Sequence, residues 1–177
     1  MGVFDKSVCD CCVCPMQCVL EQLTGVDVAI DTPISRDFTI ITSVENFIVS
    51  TSDAGDIPIC QITHVDILDP TNTIITNVLS ALKPIKNSKG KCACCEDPMT
   101  NLLRFEIGSL FAIEFIGGIF GTEILGVGEG IVVGPCSGGG SLDIYSTCSI
   151  TRVIPINQQQ FNDLSRASRR TTSPPTT

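Results

Sequence analysis

A mainly β fold, an antiparallel sandwich of jelly-roll-like character, is what this sequence predicts, and three observations predict it. From Val26 onward the apolar residues recur with period two, and β-branched side chains dominate them. Glycine and other turn residues cut that stretch into short runs, as at Asp69-Pro70-Thr71-Asn72, Gly117-Gly118 and Gly138-Gly139-Gly140. Only one segment, close to the start, carries the spacing of a helix.

Taken in order, the first element is an arm with five cysteines, Cys9, Cys11, Cys12, Cys14 and Cys18. Pro15 at a first helical position, then Met16, Val19, Leu20 and Leu23, with Gly25 as a stop, predict a short helix over 15–24. Strands come next over Asp37 to Ser43, Asn46 to Ser50, Ile57 to Leu68 and Asn72 to Leu79. Lys83 to Lys91 reads as a polar, basic loop leading into a second cysteine cluster. Beyond it, Leu103 to Ile107 and Leu110 to Ile116 read as strands. The glycines from Gly117 to Gly134 suit short strands with tight corners, and Leu142 to Ile156 reads as the last strand. The end, with Gln158-Gln159-Gln160 and Ser173-Pro174-Pro175, has almost nothing apolar after Leu164 and reads as a disordered or extended tail. Three parts result: residues 1–25 as a cysteine-rich arm and short helix, 26–156 as a sandwich domain, and 157–177 as the tail.

Composition narrows the function. A net charge of −8 and a pI near 4.4 argue against a nucleic-acid partner, because neutralising phosphates needs a lysine- and arginine-rich face. The stretch from Leu102 to Val133 is apolar, but Arg104, Glu106, Glu114, Glu123 and Glu129 interrupt it, so no membrane insertion is expected. Met1 to Ser7 lacks a basic segment followed by an apolar run, so a surface location would be reached without a conventional signal peptide. Charged residues make up only 17% of the chain and mean hydropathy is +0.32, leaving a surface rich in small polar and apolar groups. Such a surface is sticky on a monomer, and burying it between copies predicts a homo-oligomer or polymer.

Sulfur is the strongest signal. Eleven cysteines are more than a core of 177 residues needs, and eight of them fall in two clusters. Both contain the spacing Cys-x-Cys-Cys, as Cys9-Asp10-Cys11-Cys12 and Cys92-Ala93-Cys94-Cys95, while Cys60, Cys136 and Cys148 stand singly. Neighbouring cysteines in extended chain point to opposite sides, so each is better bonded to a more distant partner. The odd total leaves at least one thiol without an internal partner if all the others pair, which in an oxidised protein points to bonds between chains. Intersubunit crosslinking through Cys9, Cys11, Cys12, Cys14, Cys18, Cys92, Cys94 and Cys95, with Cys60, Cys136 and Cys148, is the leading expectation. The alternative is a thiolate zinc site. Cys9, Cys12, Cys92 and Cys95 supply two Cys-x-x-Cys halves, though about eighty residues separate them where common ribbons have about twenty; Cys11, Cys14 and Cys18 with Cys92, Cys94 and Cys95 are further thiolates.

Other chemistries lack their residues. His64 is the only histidine, and its strand context makes it a sheet-surface or buried structural residue rather than a base. The carboxylates are scattered, and Gly126-Val127-Gly128-Glu129-Gly130 lacks the spacing of a dinucleotide loop. With no tryptophan and one tyrosine, Tyr145, a stacking platform is not expected either. No catalytic residue and no cofactor is expected.

These features, a Cys11-Cys12 pair followed by Cys14 on an arm without a leader, Cys94-Cys95 inside, and a β-rich body of low charge, resemble the cysteine-rich proteins of bacterial endospore surfaces. Those include spore coat and exosporium proteins and the subunits of endospore appendages. The resemblance implies a β-sandwich subunit assembled into a lattice or fibre, together with other surface-layer proteins, and crosslinked through its arm once conditions turn oxidising.

Overall fold

The structure, a computed structural model, describes residues 13–86, 96–137 and 140–171. It is mainly β, with eleven strands among the described residues, paired antiparallel throughout in two sheets. The first element is α1 (Val13–Leu20), which continues as a 3-10 turn over Glu21–Leu23; Pro15, Met16, Val19, Leu20 and Leu23 turn inward, as their spacing predicts.

The large sheet has eight strands: β1 (Asp27–Asp31), β2 (Arg36–Glu45), β3 (Ile48–Thr51), β4 (Asp56–Pro58), β5 (His64–Ile67), β8 (Gly126–Gly128), β9 (Ile131–Pro135) and β10 (Leu142–Ser146). Their order is β4-β3-β2-β1-β5-β10-β9-β8. The small sheet, ordered β11-β6-β7, is made of β6 (Leu110–Phe115), β7 (Gly118–Glu123) and β11 (Ile150–Pro155). This division into eight and three departs from the two matched four-stranded sheets of a jelly roll.

Several boundaries differ from the sequence expectation, each for a local reason. Asn72 to Leu79 is not a strand but the helix α2 (Asn72–Ala81): the Thr71 hydroxyl caps it by accepting from the Ile74 amide, and Ile74, Ile75, Val78 and Leu79 fall on one helical stripe against the core. Leu103 to Ile107 is not a strand either. It is the end of α3 (Asp97–Leu103), started by Pro98, and then a turn in which Phe105 is 75% exposed. Asn46 and Phe47 both have positive φ, 53° and 62°, and form the tight two-residue link between β2 and β3, so that strand begins at Ile48. Ile57 to Leu68 is broken by a 3-10 turn over Ile59–Gln61, and Leu142 to Ile156 is broken at Thr147–Ser149, where the chain passes from one sheet to the other.

The segment expected to be a disordered or extended tail is helical as α4 (Gln158–Thr171). Its start is a reciprocal cap: the Asn157 side chain accepts from the Gln160 amide, and the Gln160 side chain accepts from the Asn157 amide. Leu164 then reaches Gly121 on β7.

Two separate cores lie on opposite faces of the large sheet. On one face Val28, Ile30, Val65, Ile67, Ile131, Val133, Leu142 and Ile144 pack against α1, its 3-10 extension and α2. On the other, Val132 and Tyr145 meet Phe111, Ile113 and Phe115 of the small sheet. The sheets join where Thr122 pairs with Cys136, and there Gly134 is required, because a Cβ would collide with the Glu123 carbonyl. The small sheet covers only the part of the large one around β5, β10 and β9. Beyond it, β2 carries Phe38 and Ile40 exposed to solvent.

Candidate functional site

The predicted sulfur sites divide by position. Cys9, Cys11, Cys12, Cys92, Cys94 and Cys95, and with them the alternative metal set Cys9, Cys12, Cys92 and Cys95, lie outside the described residues. Cys14 and Cys18 sit on α1. Cys14 is disulfide-bonded and Cys18 is a half-buried thiol. Cys136 is a buried thiol at the junction of the two sheets, whereas Cys60 and Cys148 are exposed thiols. Among the described residues no group of three or more histidine, cysteine or acidic side chains is arranged to hold a metal ion.

Cys60 and Cys148, separated widely in sequence, are brought together. Cys60 sits in the 3-10 turn over Ile59–Gln61 and Cys148 in that over Thr147–Ser149, and both line a single recess of about 50 Å³ with Val13, Met16, Ser146 and Ser149. Sheet pairing explains the meeting. β5 begins where its antiparallel neighbour β10 ends, with His64 opposite Tyr145 and the Ser146 amide donating to the Thr63 carbonyl at 3.1 Å. Val13, the first residue of α1, also lines the recess.

A second constellation was not visible in the sequence. His64 is fully buried, its Nδ1 2.6 Å from Asp31 Oδ2 and its Nε2 3.1 Å from Asp143 Oδ1. Arg36 donates to Asp31 at 2.7 Å and to Asp66 at 2.9 Å, and the Tyr145 hydroxyl donates to Asp143 at 2.8 Å. All six side chains belong to four adjacent strands, β2, β1, β5 and β10, and project from the face opposite the aliphatic core. Asp31 and Tyr145 flank His64 in register, and Asp66 lies opposite Asp143. Phe115 and Phe120 of the small sheet cover the imidazole, with ring centroids 4.9 Å and 5.8 Å away.

The electrostatics are set by this geometry. Burial opposes a charge on His64, but the Asp143 charge and the hydrogen bonds to Asp143 and Asp31 outweigh it and raise the pKa from 6.5 to about 9. The ring is therefore an imidazolium at neutral pH, donating from both nitrogens. Burial and the nearby Asp143 charge raise Asp66, against the opposing pull of His64 and Arg36. Tyr145 is pushed well above its ordinary value by burial and by Asp143. A cation with both donors satisfied by carboxylates and π-faces above it is a docking platform for the small sheet.

Of the two places the sequence leaves open for His64, the structure assigns the buried one. Asp31, Arg36, Asp66, Asp143 and Tyr145 are the residues that sequence reasoning missed. Their one signal is position: Asp31, Asp66 and Asp143 each lie among buried aliphatics of a strand, in Val28-Ala29-Ile30-Asp31, Val65-Asp66-Ile67 and Leu142-Asp143-Ile144. No helix among the described residues is long and apolar enough to cross a membrane. Comparison of the chain with protein-family models, with curated proteins and with solved structures finds no match.

Proposed function

We propose that this chain is a structural subunit that assembles with copies of itself and is locked by disulfides between subunits through its cysteine clusters. The layer or fibre so formed would lie on a cell or spore surface, as the resemblance to endospore surface proteins implies. The observation that carries this reading is the distribution of sulfur: eleven cysteines, eight of them gathered in two clusters that each contain the spacing Cys-x-Cys-Cys. Cys14 in a disulfide is in keeping with an oxidised arm. The solvent-facing Phe38, Ile40 and Ile48, with Ile34 95% exposed, agree with a surface that copies would bury.

Non-reducing electrophoresis of the purified, air-oxidised protein, with negative-stain microscopy of the same sample, tests the reading. The expected result is a ladder of multiples that collapses on reduction, and fibres or sheets on the grid. Monomers alone, with nothing assembled, would overturn it. A monomer carrying stoichiometric zinc would put the metal-binding alternative in its place.

A further inference from the structure

We infer that Cys60 and Cys148 form a dithiol that closes, within one chain, into a disulfide by exchange with a small-molecule disulfide. Three independent features meet at this pair. The end of the β5 and β10 pairing brings the two turns to the same edge of the sheet: Tyr145 faces His64, the Ser146 amide donates to the Thr63 carbonyl at 3.1 Å, and the two 3-10 turns flank that last link. Both thiols line one recess of about 50 Å³, a space on the scale of one or two water molecules rather than a ligand pocket. Both are exposed, so a dissolved oxidant reaches them without unfolding the protein.

The remainder of the site suits a bond that forms after folding. Each thiol sits in a 3-10 turn flanking the strand pair rather than within a ladder, so a small adjustment of either turn leaves the β5 and β10 hydrogen bonds in place. Ser146 and Ser149 add polar lining to the recess, and Val13 and Met16 add apolar lining.

The chemistry balances without any further reactant. One thiolate attacks the small-molecule disulfide, breaking its S–S bond, forming a mixed disulfide and releasing one thiol. The second thiolate then attacks the protein sulfur of that mixed disulfide and releases the second thiol. Two protein thiols are oxidised, one disulfide is reduced to two thiols, and both protons leave with the released thiols.

Closure ties the ends of the central strands β5 and β10 across a loop of nearly ninety residues. Because the bond is internal, it also withdraws these two sulfurs from any crosslinking between copies, leaving that task to the clusters.

The test uses the full chain treated with oxidised glutathione, then proteolysis under non-reducing conditions and mass spectrometry of the monomer band. Cleavage after Tyr145 separates Cys148 from Cys136, so a linked pair of peptides identifies the bond unambiguously. The expected result is a peptide pair joined through Cys60 and Cys148, with a melting temperature roughly 10 °C higher than in the Cys60→Ser variant treated the same way. The Cys60→Ser, Cys148→Ser double variant should keep whatever ladder the native protein shows, which separates this inference from the polymer reading. Separate glutathione adducts on the two residues, unreacted thiols, a bond from either to another cysteine, or loss of an existing ladder in the double variant would each overturn it.

Discussion

At the centre of the eight-stranded sheet both faces of β1, β5 and β10 are buried, yet they are held by different physics. On the face under α1 and α2, the inward residues Val28, Ile30, Val65, Ile67, Ile131, Val133, Leu142 and Ile144 are aliphatic, and burial of apolar area is what stabilises it. On the other face the alternate residues of β1, β5 and β10 include Asp31, His64, Asp66, Asp143 and Tyr145, all buried. There, removing charge from water is unfavourable, and it is offset only because the ionic groups are mutually paired and capped by aromatic rings. The aliphatic face should tolerate small losses of volume, whereas the ionic face should fail when one member is removed.

Removing Asp143 gives the largest test of that contrast. Asp143→Ala leaves His64 with one carboxylate instead of two and takes the acceptor from the Tyr145 hydroxyl. A loss of about 3–5 kcal/mol is expected in urea unfolding. A loss below about 1 kcal/mol would erase the distinction between the faces.

The pH dependence comes next. His64 has its folded pKa raised from 6.5 to about 9, so its contribution to stability is fully present below pH 6.5 and is lost as pH rises through about 9. That contribution is about 3 kcal/mol for a shift of this size. Urea midpoints measured from pH 6 to pH 10 should fall more steeply in the native protein than in His64→Gln, and parallel curves would show that the imidazole is not charged in the fold.

On the aliphatic face, Ile144→Val removes one buried methylene next to the ionic residues Asp143 and Tyr145. About 1 kcal/mol should be lost, with the pH profile unchanged, because the cluster in which Ile144 packs contains no ionisable side chain. A changed pH profile would show that the two faces are coupled through the strand.

The smallest effect expected is at Thr71, whose side chain caps α2 above the aliphatic core. Thr71→Ala should cost about 0.5–1 kcal/mol in the same urea assay, again without altering the pH dependence. No measurable change would mean that α2 is held wholly by its packing.

Legibility in the sequence divides along the same line. The alternation in Val28-Ala29-Ile30-Asp31 and Leu142-Asp143-Ile144-Tyr145 announces strands, and it assigns Val28, Ile30, Leu142 and Ile144 to a core. It says nothing about whether Asp31 and Asp143 face water or protein, since a strand with one wet face reads the same way. Asn72 to Leu79 reads as a strand because Ile and Thr favour strands, although a Thr cap and a 3.6-residue stripe are also present and prevail once Ile74, Val78 and Leu79 can reach the core. α4 has its signal in Asn157 and Gln160, a cap pair three residues apart, masked by the polarity of the residues from Asn162 to Arg170.

By itself, then, the chain's own order of residues determined the β-rich body, the helix at Met16 to Leu20, the corners and the clustering of sulfur, because each depends on near neighbours and on local spacing. Only tertiary structure decided that Asp31, His64 and Asp143 become one buried ionic row, and that Cys60 and Cys148 share a recess. Both depend on β5 pairing with β10 across more than seventy residues and on the small sheet folding back over one face. Such long-range pairing is set by the total burial it achieves, which no short window of sequence contains.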